Sequence, residues 1–153
     1  MMKAASLSEL KKELAQLEHG ELLDVCVRLA RFKLESKELL TYLLLKADDE
    51  VGYASDLCDA LDEQLKTPGK IHKKTLRKIV RWMDKSLRFS GDKETELQVR
   101  IHFCRRIKEK KISFGRCRVS ANMYATQLKK IDKVIDKVHP DLQFDFQQQM
   151  SGL

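Results

Sequence analysis

An all-α fold of about seven helices in antiparallel hairpins, an irregular bundle or a short HEAT-like stack, follows from three observations. Apolar residues recur at three- and four-residue spacings in one segment after another. The 153 residues contain only two Pro and six Gly, so breakers are few. The periodic segments are separated by short turn signals, which favour antiparallel neighbours.

The elements follow in order. Ser6-Leu7-Ser8-Glu9 has the pattern of a capping box, and Leu7, Leu10, Leu14 and Leu17 continue one stripe behind it. His19-Gly20 is expected to end that helix. Leu22, Val25, Cys26, Leu29 and Phe32 mark a second helix. Ser36 is expected to cap a third, carrying Leu39, Leu40, Leu43, Leu44 and Ala47. Asp48-Asp49-Glu50 suits the first turn of a fourth, through Ala54, Leu57, Cys58, Leu61 and Leu65, because negative charge is favoured at the positive end of the helix dipole. Leu76, Ile79, Val80, Met83 and Leu87 give the fifth, and Ser90-Gly91-Asp92 breaks it and caps the sixth. Leu97, Val99, Ile101 and Phe103 alternate as in a strand, yet Leu97, Ile101 and Cys104 also fit a helix. Helix is the expectation, since no partner strand is visible elsewhere. The segment 112–115 reads as a loop. Cys117, Ala121, Tyr124, Leu128, Ile131, Ile135 and Val138 form the stripe of a seventh helix, stopped at His139-Pro140. Residues 147–153 read as a frayed tail.

One helical domain over 1–153 is expected, long enough to bury most of its apolar surface. The charge divides it. Residues 1–65 hold 8 basic against 14 acidic side chains, a net of −6, while residues 66–139 hold 22 against 7, a net of +15. Thr67-Pro68-Gly69, the one Pro-Gly break, coincides with the change of sign. An acidic helical layer at 1–65 and a basic layer at 70–139 are therefore expected, and the basic one should attract polyanions.

On the fifth helix that charge acquires a direction. At 3.6 residues per turn, Lys70, Lys74, Arg77, Arg81, Lys85 and Arg88 fall opposite the apolar stripe, as a ridge about 27 Å long. Trp82 lies at its edge, where it could stack on a base. A second cluster, with Arg105, Arg106, Arg116 and Arg118, surrounds the Gly115 loop at the start of the seventh helix. The same residues also suit solvated helix faces and turns.

Other chemistries find less support. His102 and Cys104, two apart, point away from each other on a helix, and no metal-binding spacing occurs. No G-x-S-x-G, Gly-rich phosphate loop or inward Glu-x-x-His pair is present. No enzyme activity, cofactor or metal is therefore expected. No run approaches a membrane span of about 20 apolar residues. Without a secretory core near Met1, and with four widely spaced cysteines, the reading is a cytoplasmic protein with reduced thiols.

The opening helix Leu7-Ser8-Glu9-Leu10-Lys11-Lys12-Glu13-Leu14 looks like the start of a SAP module. The turn before Arg28-Leu29 is too short for that module and lacks its Gly-x-Lys step, which excludes it. The pairing of this E-L-K-K-x-L helix with Glu21-Leu22-Leu23 and a basic helix at 73–85 resembles an uncharacterised bacterial all-helical family. That resemblance implies an all-helical fold of unknown activity. Three roles follow as expectations: a non-enzymatic interaction module scaffolding an unknown protein partner, a non-specific nucleic-acid binder using the ridge, or self-association of acidic with basic halves.

Overall fold

The computed structural model describes residues 1–110 and 117–153. Eight α-helices occur among them and no strand: α1 (Leu7–Leu14), α2 (His19–Phe32), α3 (Leu34–Leu45), α4 (Glu50–Leu65), α5 (Lys73–Ser90), α6 (Lys93–Glu109), α7 (Arg118–Ile135) and α8 (Pro140–Met150). None of them is long and apolar enough to cross a membrane.

Local end chemistry sets several boundaries where it was expected. Ser6 caps α1: its backbone N–H donates to Glu9 Oε2 at 2.8 Å, and its hydroxyl accepts from Glu9 N at 3.3 Å. Asp49 caps α4 by accepting from Gly52 N at 2.9 Å, and Asp92 caps α6 by accepting from Thr95 N at 2.8 Å. Gly91 closes α5 at φ +69°, in the left-handed region where a Cβ is strained.

Other boundaries differ from the sequence reading. Gly20 is not a C-cap but lies in the first turn of α2, because Glu18 and Glu21 form a capping box ahead of it. The third helix opens at Leu34, two residues before Ser36, directly after the extended Lys33. Residues 147–150 are the last turn of an eighth helix, which Pro140 opens from its first position, where its missing N–H costs nothing. The expected 112–115 loop lies outside the described residues.

The contacts gather into two compact units, Met1–Leu44 and Leu45–Leu153. In the larger unit α6 touches α4, α5, α7 and α8, and α5 also packs against α4 and α7. Burial explains the ambiguous sequence of α6. Thr95, Leu97, Val99, Arg100, Ile101, Phe103, Cys104 and Ile107 are all buried, whereas Glu94, Gln98 and Arg105 form a narrow exposed strip. A helix covered on most of its circumference satisfies period 2 and period 3.6 at once. The core is completed by Leu57, Leu61 and Leu65 of α4, Leu76, Ile79, Met83 and Leu87 of α5, and Ile131, Val134 and Ile135 of α7. On α7 the buried face is rotated from the expected stripe toward Ser120 and Gln127, while Tyr124 and Leu128 are half-buried.

The negative charge expected of residues 1–65 is not spread evenly over them. Residues 1–44 carry seven basic and seven acidic side chains, so the deficit of −6 lies entirely in residues 45–65. Those residues are α4 and its approach, and α4 packs on basic α6 within the larger unit. Apolar matching of α4 to α6, rather than the sign of charge along the chain, decides where α4 belongs.

The smaller unit is built differently. Among residues 1–44 only Tyr42 is buried. Twelve large apolar side chains on the helices of residues 1–44 are exposed: Leu7, Leu10 and Leu14 on α1; Leu22, Leu23, Val27, Leu29 and Phe32 on α2; Leu34, Leu39, Leu43 and Leu44 on α3.

Candidate functional site

Two surfaces stand out, one cationic and one apolar. The cationic one is the outer face of α5. This helix has seven cations, Lys73, Lys74, Arg77, Lys78, Arg81, Lys85 and Arg88, against a single anion, Asp84. At about 100° per residue the seven fall within an arc of about 140°, opposite the buried Leu76, Ile79, Met83 and Leu87. All but Lys85 are exposed. Arg81 Nε leans on Arg77 O at 3.4 Å, a contact within the ridge itself.

Asp84 does not neutralise that face, because it is engaged elsewhere. Arg100 Nη1 donates to its Oδ1 at 2.7 Å and Lys130 Nζ to its Oδ2 at 2.8 Å. Burial pushes the Asp84 carboxyl up, but those two hydrogen bonds and charges outweigh it and hold the group below the usual carboxylate range. Arg100 itself is buried, and it donates further to Glu96 Oε1 through Nε at 3.0 Å and to Gln127 Oε1 at 2.6 Å. α5 is thereby anchored to α6 and α7 by its one acidic residue, which lies near the Lys73 edge of the arc and is tied to Arg100 and Lys130.

The beginning of α5 breaks a local rule. Six of the eight helices have an acidic residue in the first turn, but α5 begins Lys73-Lys74 with no acid, and His72 makes no side-chain cap. Cations at the positive end of a helix dipole are unfavourable by several tenths of a kcal/mol each. α7, which begins at Arg118 with no acid in its first turn, is the other exception.

The individual expectations divide. Lys74, Arg77, Arg81 and Arg88 stand together on the open ridge. Lys70 precedes the helix, which starts at Lys73, so it is exposed but lies off the ridge. Lys85 is half-buried and sits apart from the open set. Trp82 is half-buried on the flank next to the core rather than offered as a stacking platform. Lys73 and Lys78 were missed. They occupy the two edges of the arc, and the wheel positions of the sequence already contain that signal.

Among the described residues of the second basic cluster, Arg105, Arg106 and Arg118 have different surroundings. Arg106 is held by Asp62, through Nε to Oδ1 at 2.8 Å and Nη2 to Oδ2 at 2.9 Å, and by Glu109 at 2.9 Å. Burial raises the Asp62 carboxyl, but hydrogen bonds from Arg106 and His102 outweigh it and the group stays low. Arg106 is thus spent within the fold. Arg105 is exposed and borders a cavity of about 330 Å³ with Lys108, Glu109 and Gln149. Arg118 is exposed at the first residue of α7. Arg116 lies outside the described residues. Another cavity, of about 430 Å³, is bordered by Asp62, Leu65, Lys66, Arg106, Glu109 and Lys110. Of its charged groups Arg106 pairs with Asp62 and Glu109, Lys66 with Glu63 outside the lining, and Lys110 Nζ donates to Thr67 O at 3.3 Å.

The apolar surface belongs to the smaller unit. Helices of 8, 14 and 12 residues are marginal in water without apolar packing. Here Phe32 is 78 % exposed and Leu29 59 % exposed.

Comparison of the chain with protein-family models, with curated proteins and with solved structures finds no match.

Proposed function

We propose that this chain is a non-enzymatic helical interaction module that binds protein through α1–α3, and that its occupant there is a second copy of the same chain. The observation that carries this is the twelve exposed apolar side chains of a unit with a single buried residue. Apolar area of that extent on short helices is a surface that gains free energy by being covered.

Charge selects the occupant. Residues 1–44 are balanced at seven of each sign, interspersed as in Glu9, Lys11, Lys12 and Glu13 of α1. A two-fold pairing brings a surface against itself, so it needs a face without net charge, and this one has none. Association of an acidic half with a basic half has less support, since the acidic excess lies in 45–65 and Asp62 is already paired with Arg106 and His102. A cytoplasmic setting accords with the four free cysteines, which stay reduced there.

Sedimentation equilibrium across a concentration series tests the pairing. A dimer whose affinity is unchanged or strengthened by salt is expected, and the double variant Leu29→Ser/Phe32→Ser should be monomeric at the same concentrations. A wild-type chain that stays monomeric at the highest soluble concentration, or a dimer dissolved by salt, overturns the reading.

A further inference from the structure

The α5 ridge is not used by a protein-binding role for α1–α3, and it supports a second, independent activity. We infer that the outer face of α5 is a docking surface for double-stranded DNA, held mainly through phosphates and with little regard for base sequence.

The charge density is the first reason. Six exposed cations lie along about 22 Å of helix, with the only anion of α5 tied to Arg100 and Lys130. That is about one cation per 4 Å of axis. Duplex DNA presents one phosphate per about 1.7 Å of axis, enough to give each of these cations a phosphate partner. Three of the six are arginines, Arg77, Arg81 and Arg88, whose planar forks match phosphate oxygens.

Breadth is the second. An arc of about 140° is too wide for a single strand lying along one line of side chains. It suits a helix about 10–12 Å across set in a major groove about 12 Å wide, with Lys73 and Lys78 at the edges reaching toward opposite phosphate rails. The deep, narrow major groove of an RNA duplex does not admit a helix in this way.

Side-chain chemistry is the third. The outer face offers no exposed aromatic residue, since Trp82 is half-buried, so the base stacking that holds single strands is missing. It carries no Asn or Gln to read adenine edges. The apolar residues of α5 are buried or half-buried and none is exposed, leaving no anchor for a lipid surface.

The test uses the full chain and fluorescence anisotropy with a labelled duplex DNA of arbitrary sequence. Binding should weaken with salt, with a slope of about −4 to −5 in log K against log salt, as expected for roughly four to six phosphate contacts. The triple variant R77Q/R81Q/R88Q should lose at least about tenfold in affinity and flatten the slope by about three, one per arginine. A matched control, K129Q/K133Q/K137Q, removes the same charge from exposed positions of α7 and the turn that follows it, and should bind nearly as wild type. Circular dichroism confirms that both variants keep their helix content. The proposal fails if the duplex does not bind, or if the α7 control loses as much as the α5 variant. It fails equally if single-stranded DNA, duplex RNA, polyglutamate or phosphatidylserine vesicles bind as tightly as duplex DNA.

Discussion

Truncating Arg100 to alanine should unfasten α5, α6 and α7 from one another, and the structure sets the size of the effect. The guanidinium donates to Asp84, Gln127 and Glu96 at 2.6 to 3.0 Å. Without it, the carboxamide oxygen of Gln127, in a residue only 1 % exposed, has lost its donor, which costs about 1–3 kcal/mol. Asp84 keeps Lys130 at 2.8 Å and Glu96 keeps Lys93 at 3.6 Å, so each carboxylate loses one partner and not all. Asp84 is 30 % exposed, so water relieves part of the remainder, and about 1 kcal/mol covers both acids. Loss of the buried aliphatic stem adds about 1 kcal/mol. The sum, about 3–5 kcal/mol, agrees with the usual cost of removing one partner from a buried ion pair. Arg100→Met, which keeps the stem, should cost about 1 kcal/mol less.

Urea unfolding followed by Trp82 fluorescence measures this directly, because the chain's single Trp is half-buried on α5 in the same unit. The midpoint should fall with an unchanged slope. An R100A protein within about 1 kcal/mol of the parent refutes the reasoning. The pH dependence has a definite sign. The Asp84 and Asp62 carboxyls are held low in the folded state, so the unfolded chain binds more protons. Their contribution is fully present above the unfolded carboxylate value of about 3.9 and is lost as pH falls through the lower folded values. Stability should therefore drop below about pH 4, and Asp84→Asn should remove part of that acid dependence.

Two further outcomes separate the units and the thiols. Leu61→Ala, at a fully buried position of α4, should cost about 2–5 kcal/mol by urea unfolding, while Leu29→Ala on exposed α2 should cost under about 1 kcal/mol in the monomer. Burial pushes the Cys104 thiol up to about 12 and the Cys58 thiol up to about 11, whereas the Ser120 hydroxyl holds Cys117 below its ordinary value. In timed thiol labelling read by mass spectrometry, Cys117 should react well before Cys58 and Cys104, and early modification of Cys104 contradicts its burial.

Helix content, the caps at Ser6 and Asp92, the stop at Gly91 and the cationic face of α5 were legible in the amino-acid sequence. Each depends on residues within a turn or two of one another, and a period of 3.6 residues carries that information without a fold. The misplaced boundaries were also local, but they were contests between signals. Glu18 with Glu21 outcompeted a Gly20 stop, and Pro140 opened a helix where a tail was expected. The fate of individual charges was not legible. Arg100 is buried against Asp84 and Gln127, Arg106 is locked to Asp62 and Glu109, and Arg77 stands in water, although all three are arginines in basic helical runs. Besides the local Glu96 and Glu109, the anions that hold Arg100 and Arg106 lie 16 and 44 positions away, so the packing of α4, α5 and α7 around α6 decides which cations are available to a partner.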